Sequence, residues 1–266
     1  MKKFWGFLLV IVLMTSCGEY QSLLKSNDYN LVYKKAIEYY NKGDYQRAMN
    51  LLDGVRSVFV GQAKAQNIAY YRAFCSYNMK DYQIASDLFK QFIQTYPESS
   101  FAEECLYMMG FCDYKSSPKP RLDQQVTEKA IREFQLYLSR YPYSMRKDKV
   151  NTYMDEMRDK LSYKAYLSAK NYYLREHYKA AVISLQNCLK DYPGSKYREE
   201  IMYMLFVSKY QMAVNSVEDK KVERYNNARE EYYYFADEYP NSRYAADVKK
   251  MYEDIEAYLE NYKFED

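Results

Sequence analysis

The sequence predicts an all-α solenoid of about five helix pairs, closed by one further helix. Three observations carry that prediction. First, a phrase, Tyr-Pro-x-Ser, ends four segments: Tyr96-Pro97-Glu98-Ser99, Tyr141-Pro142-Tyr143-Ser144, Tyr192-Pro193-Gly194-Ser195 and Tyr239-Pro240-Asn241-Ser242. Second, their prolines stand 45, 51 and 47 residues apart, a spacing that signals stacked repeats. Third, the residues ahead of each proline repeat too. A chain of this kind has no single globular core. Each repeat packs on its neighbours, and the array offers an extended surface suited to holding a partner.

The second helix of each pair is read by counting back from its proline. Pro97 follows Phe92, Phe89 and Ala85 at intervals of 5, 8 and 12. Pro142 follows Tyr137, Phe134 and Ala130 at the same intervals, Pro193 follows Cys188, Leu185 and Ala181, and Pro240 follows Phe235, Tyr232 and Ala228. A small residue, then larger ones four and seven later, line one helical face. Alanine lets a neighbouring helix approach, and proline stops the helix because it lacks an N–H and clashes with the turn before it.

First helices follow by the same arithmetic. Ala36, Ala73 and Ala169 each precede the alanine of the second helix by 12 residues, with turns at 41–45, 78–82 and 175–178 between them. In the third and fifth units the interval is 20, from Gly110 to Ala130 and from Ser208 to Ala228. The eight extra residues read as long connections, 115–123 with its Ser116-Ser117-Pro118-Lys119-Pro120 and the charged 215–223. The pattern resembles the tetratricopeptide repeat, whose period is ~34 residues. That resemblance implies a right-handed superhelical solenoid. Units are expected at about 30–60, 65–99, 102–144, 161–195 and 200–242, with a capping helix over 244–262. The span from Arg146 to Arg175 holds no proline or glycine and predicts one long helix.

At the N-terminus, Lys2 and Lys3 precede an apolar run from Phe4 to Met14 and then Thr15-Ser16-Cys17-Gly18. A basic start, an apolar run and small residues at its end read as a secretory signal over 1–16. The run is shorter than the ~20 apolar residues of a spanning helix. The cysteine after Thr-Ser resembles a bacterial lipobox, which makes Cys17 the lipidation site and 17–29 a lipidated tether. Gly18 is not the aspartate that retains some lipoproteins at the inner membrane, so the expected destination is the outer membrane.

Removing Lys2 and Lys3 with the signal takes the formal charge from +3 to +1. No basic field is left to attract nucleic acid. The remaining cysteines, Cys75, Cys105, Cys112 and Cys188, follow no metal-ligand spacing. Cys75 and Cys112 occupy equivalent places in adjacent units and are either close or simply buried. His177 reads as an exposed turn residue. Adjacent glutamates, such as Glu103-Glu104, Glu199-Glu200 and Glu230-Glu231, read as surface charges. No catalytic constellation, metal site or cofactor other than the covalent lipid at Cys17 is expected.

Thirty-five tyrosines are the other anomaly. Tyr33, Tyr70 and Tyr107 stand 37 apart, as do Tyr40, Tyr77 and Tyr114, and the fourth unit repeats the pair as Tyr166 and Tyr173. Within a unit the two are seven apart, on one face of the first helix. The fifth unit has Leu205 and Met212 instead. Two readings stand. Either the rings fill gaps between helices, or they form two rows of a peptide-binding platform, a role for which tyrosine offers large area at low rotamer cost. In the second reading Asn30, Asn41, Asn67 and Asn78 bond a peptide backbone.

Local phrases point further. Leu106-Tyr107-Met108-Met109-Gly110 is followed by a long connection and Ala130-Ile131-Arg132-Glu133-Phe134; Ala169-Lys170-Asn171-Tyr172-Tyr173 leads to His177-Tyr178-Lys179-Ala180-Ala181-Val182. With the lipobox, five units and unequal connections, these resemble the BamD family, lipoprotein subunits of the outer-membrane β-barrel assembly machine. The resemblance implies a lipid-anchored scaffold on the periplasmic face of the outer membrane. Its N-terminal repeats, 30–144, receive unfolded outer-membrane protein precursors by an aromatic-ended C-terminal signal. Its C-terminal part, 145–262, docks on periplasmic domains of the central barrel subunit. The alternatives are a periplasmic scaffold coordinating envelope constriction with cell-wall synthesis, and a glycan-capturing outer-membrane lipoprotein.

Overall fold

The computed structural model describes residues 18–262. Cys17 and the signal over 1–16 lie outside the described residues. All regular structure among the described residues is helical. Five pairs follow one another: α1 (Tyr29–Asn41) with α2 (Tyr45–Val55), α3 (Ala63–Asn78) with α4 (Tyr82–Thr95), α5 (Ala102–Ser116) with α6 (Gln125–Arg140), α7 (Lys147–Leu174) with α8 (Tyr178–Asp191), and α9 (Arg198–Val214) with α10 (Glu218–Glu238). The final helix, α11 (Ala245–Tyr262), packs on α9 and α10. The long helix predicted between Arg146 and Arg175 is α7, 28 residues in one piece.

The Tyr-Pro-x-Ser phrase builds the same turn four times. Each tyrosine N–H donates to the carbonyl four residues back: Tyr96 to Phe92, Tyr141 to Tyr137, Tyr192 to Cys188 and Tyr239 to Phe235, at 2.8–3.0 Å. The tyrosine then leaves helical geometry, with φ between −127 and −132° and ψ between 59 and 65°, as a residue before proline must. The serine N–H donates to the tyrosine carbonyl at 3.0–3.1 Å in all four copies. The serine Oγ accepts from the backbone N–H two residues on, at Phe101, Arg146, Tyr197 and Tyr244, which starts the next helix. Three of these hydroxyls also reach the first helix of their own repeat: Ser144 to Glu103 at 2.7 Å, Ser195 from Ser162 at 2.8 Å and Ser242 to Glu199 at 2.7 Å.

The small residues lie at helix crossings. Ala36, Ala48, Ala73, Ala85, Ala130, Ala169, Ala181 and Ala228 are fully buried. Gly110 marks a close approach: a Cβ there would sit 2.9 Å from the Phe134 ring. The short turns within pairs share one left-handed residue, Gly43 (φ 80°), Lys80 (φ 68°) and Glu176 (φ 60°), two residues ahead of the one that begins the second helix. Asp44 and Asp28 cap their helices by accepting from the N–H groups of Arg47 and Leu31.

Two expectations are corrected. The tether expected over 17–29 is helical over 18–24, and Tyr20 and Leu23 are buried in the core of the first repeat. Their alternation with polar neighbours gives that short helix an apolar face, which Val32, Ala36, Ala48, Leu51 and Leu52 cover. The long connection expected over 215–223 shrinks to 215–217, because α10 begins at Glu218 and absorbs the extra residues as helix. Glu218 and Asp219 suit a helix N-terminus, and no proline or glycine follows. Its counterpart before α6 carries Pro118 and Pro120 and stays irregular.

By packing, the chain forms two compact units. The first takes the chain up to Pro118 and then Asp123–Met157; the second takes Lys119–Leu122 and the chain from Arg158 on. Their boundary falls inside α7, between Met157 and Arg158. In the first unit the cores centre on Leu51, Leu52 and Ile68, and on Phe89, Phe134 and Tyr137. In the second they centre on Leu185 and Ile201, and on Phe206, Phe235 and Ile255.

Two stability changes follow. Ser144→Ala removes an acceptor for the Arg146 N–H and a donor to Glu103; it should cost about 1–3 kcal/mol, read as a lower denaturation midpoint. Gly110→Ala should cost about 1–3 kcal/mol by overpacking against Phe134, whose buried ring has no room to withdraw. An unchanged midpoint in either variant would contradict the geometry described.

Candidate functional site

The tyrosines on the first helices of the first unit join into a connected ladder of rings. Tyr40 of α1 meets Tyr71 of α3 with centroids 4.9 Å apart. Tyr71 meets Tyr70 at 5.5 Å, and Tyr70 lies 4.5 Å from both Phe74 and Phe101. Phe74 leads to Tyr77, and Tyr77 crosses to Phe111 of α5 at 6.2 Å. Phe111 stacks between Tyr107 and Tyr114, and Tyr114 stacks on Tyr153 of α7 at 4.4 Å. Contacts of this kind, offset or edge-on, are each worth ~0.5–1.5 kcal/mol beyond area burial.

Burial within the ladder is uneven. Tyr107 is buried; Tyr33, Tyr40, Tyr70, Tyr77 and Tyr114 are half-buried, each with part of its ring at the surface. Tyr33 stands apart from the ladder, touching Phe59 and lying beneath the Lys64 ammonium. Several hydroxyls are engaged across repeats: Tyr70 donates to Glu104 at 2.8 Å, and Tyr114 donates to Glu156. Burial, then the bond to Glu104, pushes the Tyr70 phenol well above its ordinary value. Of the asparagines, Asn78 reaches the Tyr40 hydroxyl at 3.5 Å, Asn30 accepts from Lys64, Asn67 is half-buried and Asn41 is exposed at the end of α1.

The rows therefore hold helices together and also show ring surface. The linking rings Tyr71, Phe74, Phe101, Phe111 and Tyr153 were missed by the tyrosine count. A signal for two of them existed: Phe74 and Phe111 are 37 apart, the same interval as the tyrosines.

The second unit is surfaced differently. Tyr166 is buried and stacks on Tyr197 at 4.3 Å, while its hydroxyl accepts from Lys170, which also binds Glu200. A cleft of about 750 Å³ opens beside them, lined by Arg121, Tyr163, Lys164, Leu167 and Asn171 among others. A groove of about 330 Å³ in the first unit lies between Arg56, Ala69, Leu88 and Tyr96. Of the residues read as a peptide platform, Tyr166 lines the cleft and none lines the groove.

Comparison with known proteins gives the family. The family model for YfiO, described as an outer membrane lipoprotein, matches residues 25–200 and 164–265. The chain belongs to this family. The two YfiO matches overlap on the fourth repeat, as near-equivalent units allow. No curated protein matches the chain. Among solved structures, a TPR repeats protein from Bacteroides fragilis is similar at 13% identity and TM-score 0.42, over 87% of this chain and 99% of that one. The TPR2AB-domain–pHSP90 complex of yeast Sti1 is similar at 14% identity and TM-score 0.39, over 86% and 98%. Likenesses this distant carry no argument about function.

The described residues of this YfiO family member hold no group of acidic, histidine and cysteine side chains arranged for a metal. His177 is exposed in its turn, and Cys75, Cys105, Cys112 and Cys188 are all free and buried, so Cys75 and Cys112 make no disulfide. Burial pushes the thiols up, Cys188 to about 11 and Cys75 to about 12. Glu231 is not the surface charge expected: it is buried against Lys209.

One buried carboxyl, Glu133, is strongly perturbed. Asp113 accepts from Ser86 at 3.0 Å and pairs with Lys129 at 2.8 Å; Glu133 beside it lies 3.7 Å from the same ammonium. One cation serves two buried acids, so Glu133 keeps its proton, held up first by burial and then by its bond to Asp113. In the unfolded chain Glu133 titrates in the ordinary range. The protonated form therefore contributes stability at low pH that is lost as pH rises from that range through about 8. Glu133→Gln should flatten this decline in a series of thermal melts from mildly acidic to mildly alkaline buffer; parallel curves for the two proteins would refute the assignment.

Proposed function

We propose that the chain is acylated at Cys17, faces the periplasm from the outer membrane, and serves as a scaffold subunit of the β-barrel assembly machinery. In this reading its first unit receives unfolded outer-membrane protein precursors and its second docks on periplasmic domains of the central barrel subunit. It is a binding protein rather than an enzyme. The observation that carries the proposal is membership of an outer membrane lipoprotein family over most of the chain, joined to repeats that expose aromatic surface on their first helices.

Half-buried rings suit the binding of an extended aromatic peptide. A ring already held by its neighbours loses little rotamer freedom on binding, so contact area converts efficiently into affinity. Glu104 and Glu156 hold phenol groups in place, and the exposed Asn41 and Asn30 supply amide groups at the ends of the row.

Affinity purification of the tagged protein after detergent extraction tests the reading at the level of the complex. Co-purification of a large outer-membrane barrel protein is expected; recovery of cell-wall synthases, or of a glycan importer, would replace it. At the level of the site, Tyr33→Ala and Tyr114→Ala should each weaken binding of an aromatic-ended precursor peptide by about 1–2 kcal/mol in fluorescence anisotropy. Tyr143→Ala, at a fully exposed position off the ladder, should leave it unchanged. Equal affinity in all three variants would remove the platform from the proposal.

A further inference from the structure

The helix over 18–24 has a consequence for how the protein meets a lipid surface. Tyr20 is 9% exposed and Leu23 5%, both inside the core of the first repeat. The Tyr20 ring packs edge-on against Tyr39, lies under the Arg47 guanidinium, and its hydroxyl accepts from Asn50 at 3.0 Å. Glu19 is tied to Lys35 at 3.0 Å, and Lys42 also draws on its carboxylate. The short helix is thus clamped to α1 and α2, with Tyr20 against Tyr39 and Arg47, the residues that flank the turn joining them.

We propose that the lipid anchor acts without a free tether, so that the α1–α2 turn, residues 41–44, is held against the lipid headgroups. The inference rests on acylation at Cys17. Three peptide steps separate Cys17 from Tyr20, at most ~10–11 Å of extended chain. The headgroup layer on one side of a bilayer is itself ~5–8 Å deep. An acyl group inside the hydrocarbon therefore brings the docked end of the first repeat to the headgroups. A flexible linker of a dozen residues would instead roam ~20 Å. Lys42, exposed in the turn, and Gly43, which puts no side chain in the way, are what the surface would meet. The opposite end of α2 is farther off by the length of that helix, 11 residues or about 16 Å, and the exposed Val60 lies in the turn that follows it.

The test uses the full-length acylated protein in phosphatidylethanolamine–phosphatidylglycerol vesicles that contain a nickel-chelating headgroup lipid. Spin labels are placed at Lys42→Cys or Val60→Cys; the four native thiols are buried, and Cys17 is acylated. Severalfold stronger relaxation of the label at 42 than at 60 is expected. Inserting a flexible segment of about twelve residues after Cys17 should abolish that difference while leaving the fold and membrane recovery intact. Equal relaxation at the two sites, stronger relaxation at 60, or a difference that survives the insertion would each overturn the proposal. Mass analysis of the N-terminal peptide is made on the same samples. An unacylated Cys17 would overturn the lipidation reading itself, and this result is distinct from the other failures.

Discussion

The turn written by Tyr-Pro-x-Ser is the constraint on which the repeats depend. In four residues it ends one helix, redirects the chain and starts the next. Proline forbids the helix from continuing, and the residue before it must become extended. The serine then supplies both an acceptor for the next helix and, in three copies, a hydrogen bond back to the first helix of its own pair. A single hydroxyl so ties together elements about forty residues apart in sequence, 41 in the case of Ser144 and Glu103. Helix pairs stacked without such a closure would be free to splay at each junction.

Between these turns the alanines set how near the helices come, and the tyrosines fill what remains. Where the two helices of a pair approach closely, as at Gly110 over Phe134, no side chain fits. Between the first helices of neighbouring repeats, rings bridge the gap, and phenol groups find carboxylates on the next repeat. Structural packing and a binding surface are therefore not alternatives for these residues. A ring wedged between helices on one side and open on the other packs the core without losing its free surface, so the binding role proposed for it is compatible with its packing.

The places where local reading diverged from the structure share a cause. The segment after Cys17 is short and polar enough to read as tether, yet two apolar residues three apart suffice once a complementary face on α1 and α2 exists. The charged stretch after Val214 joins α10 from Glu218 on, and Glu218 accepts from the Tyr258 hydroxyl of α11. Glu231 reads as half of an exposed pair but meets Lys209 in the interior. In each case a residue's fate depended on a partner contributed by another helix.

The sequence alone determined the number of helix pairs, the register of their alanines, the stops between them, the long α7 and the family, because these are recorded in local spacing and residue type. It also located the tyrosine rows, since a 37-residue interval is visible without coordinates. Only the tertiary structure decided which rings touch, that Phe74 and Phe111 link the rows, that Asp113 and Glu133 share one lysine, and that the chain after Cys17 is docked rather than loose. Those outcomes depend on distances between helices, which arise from the packing of all the repeats at once and are written in no single segment.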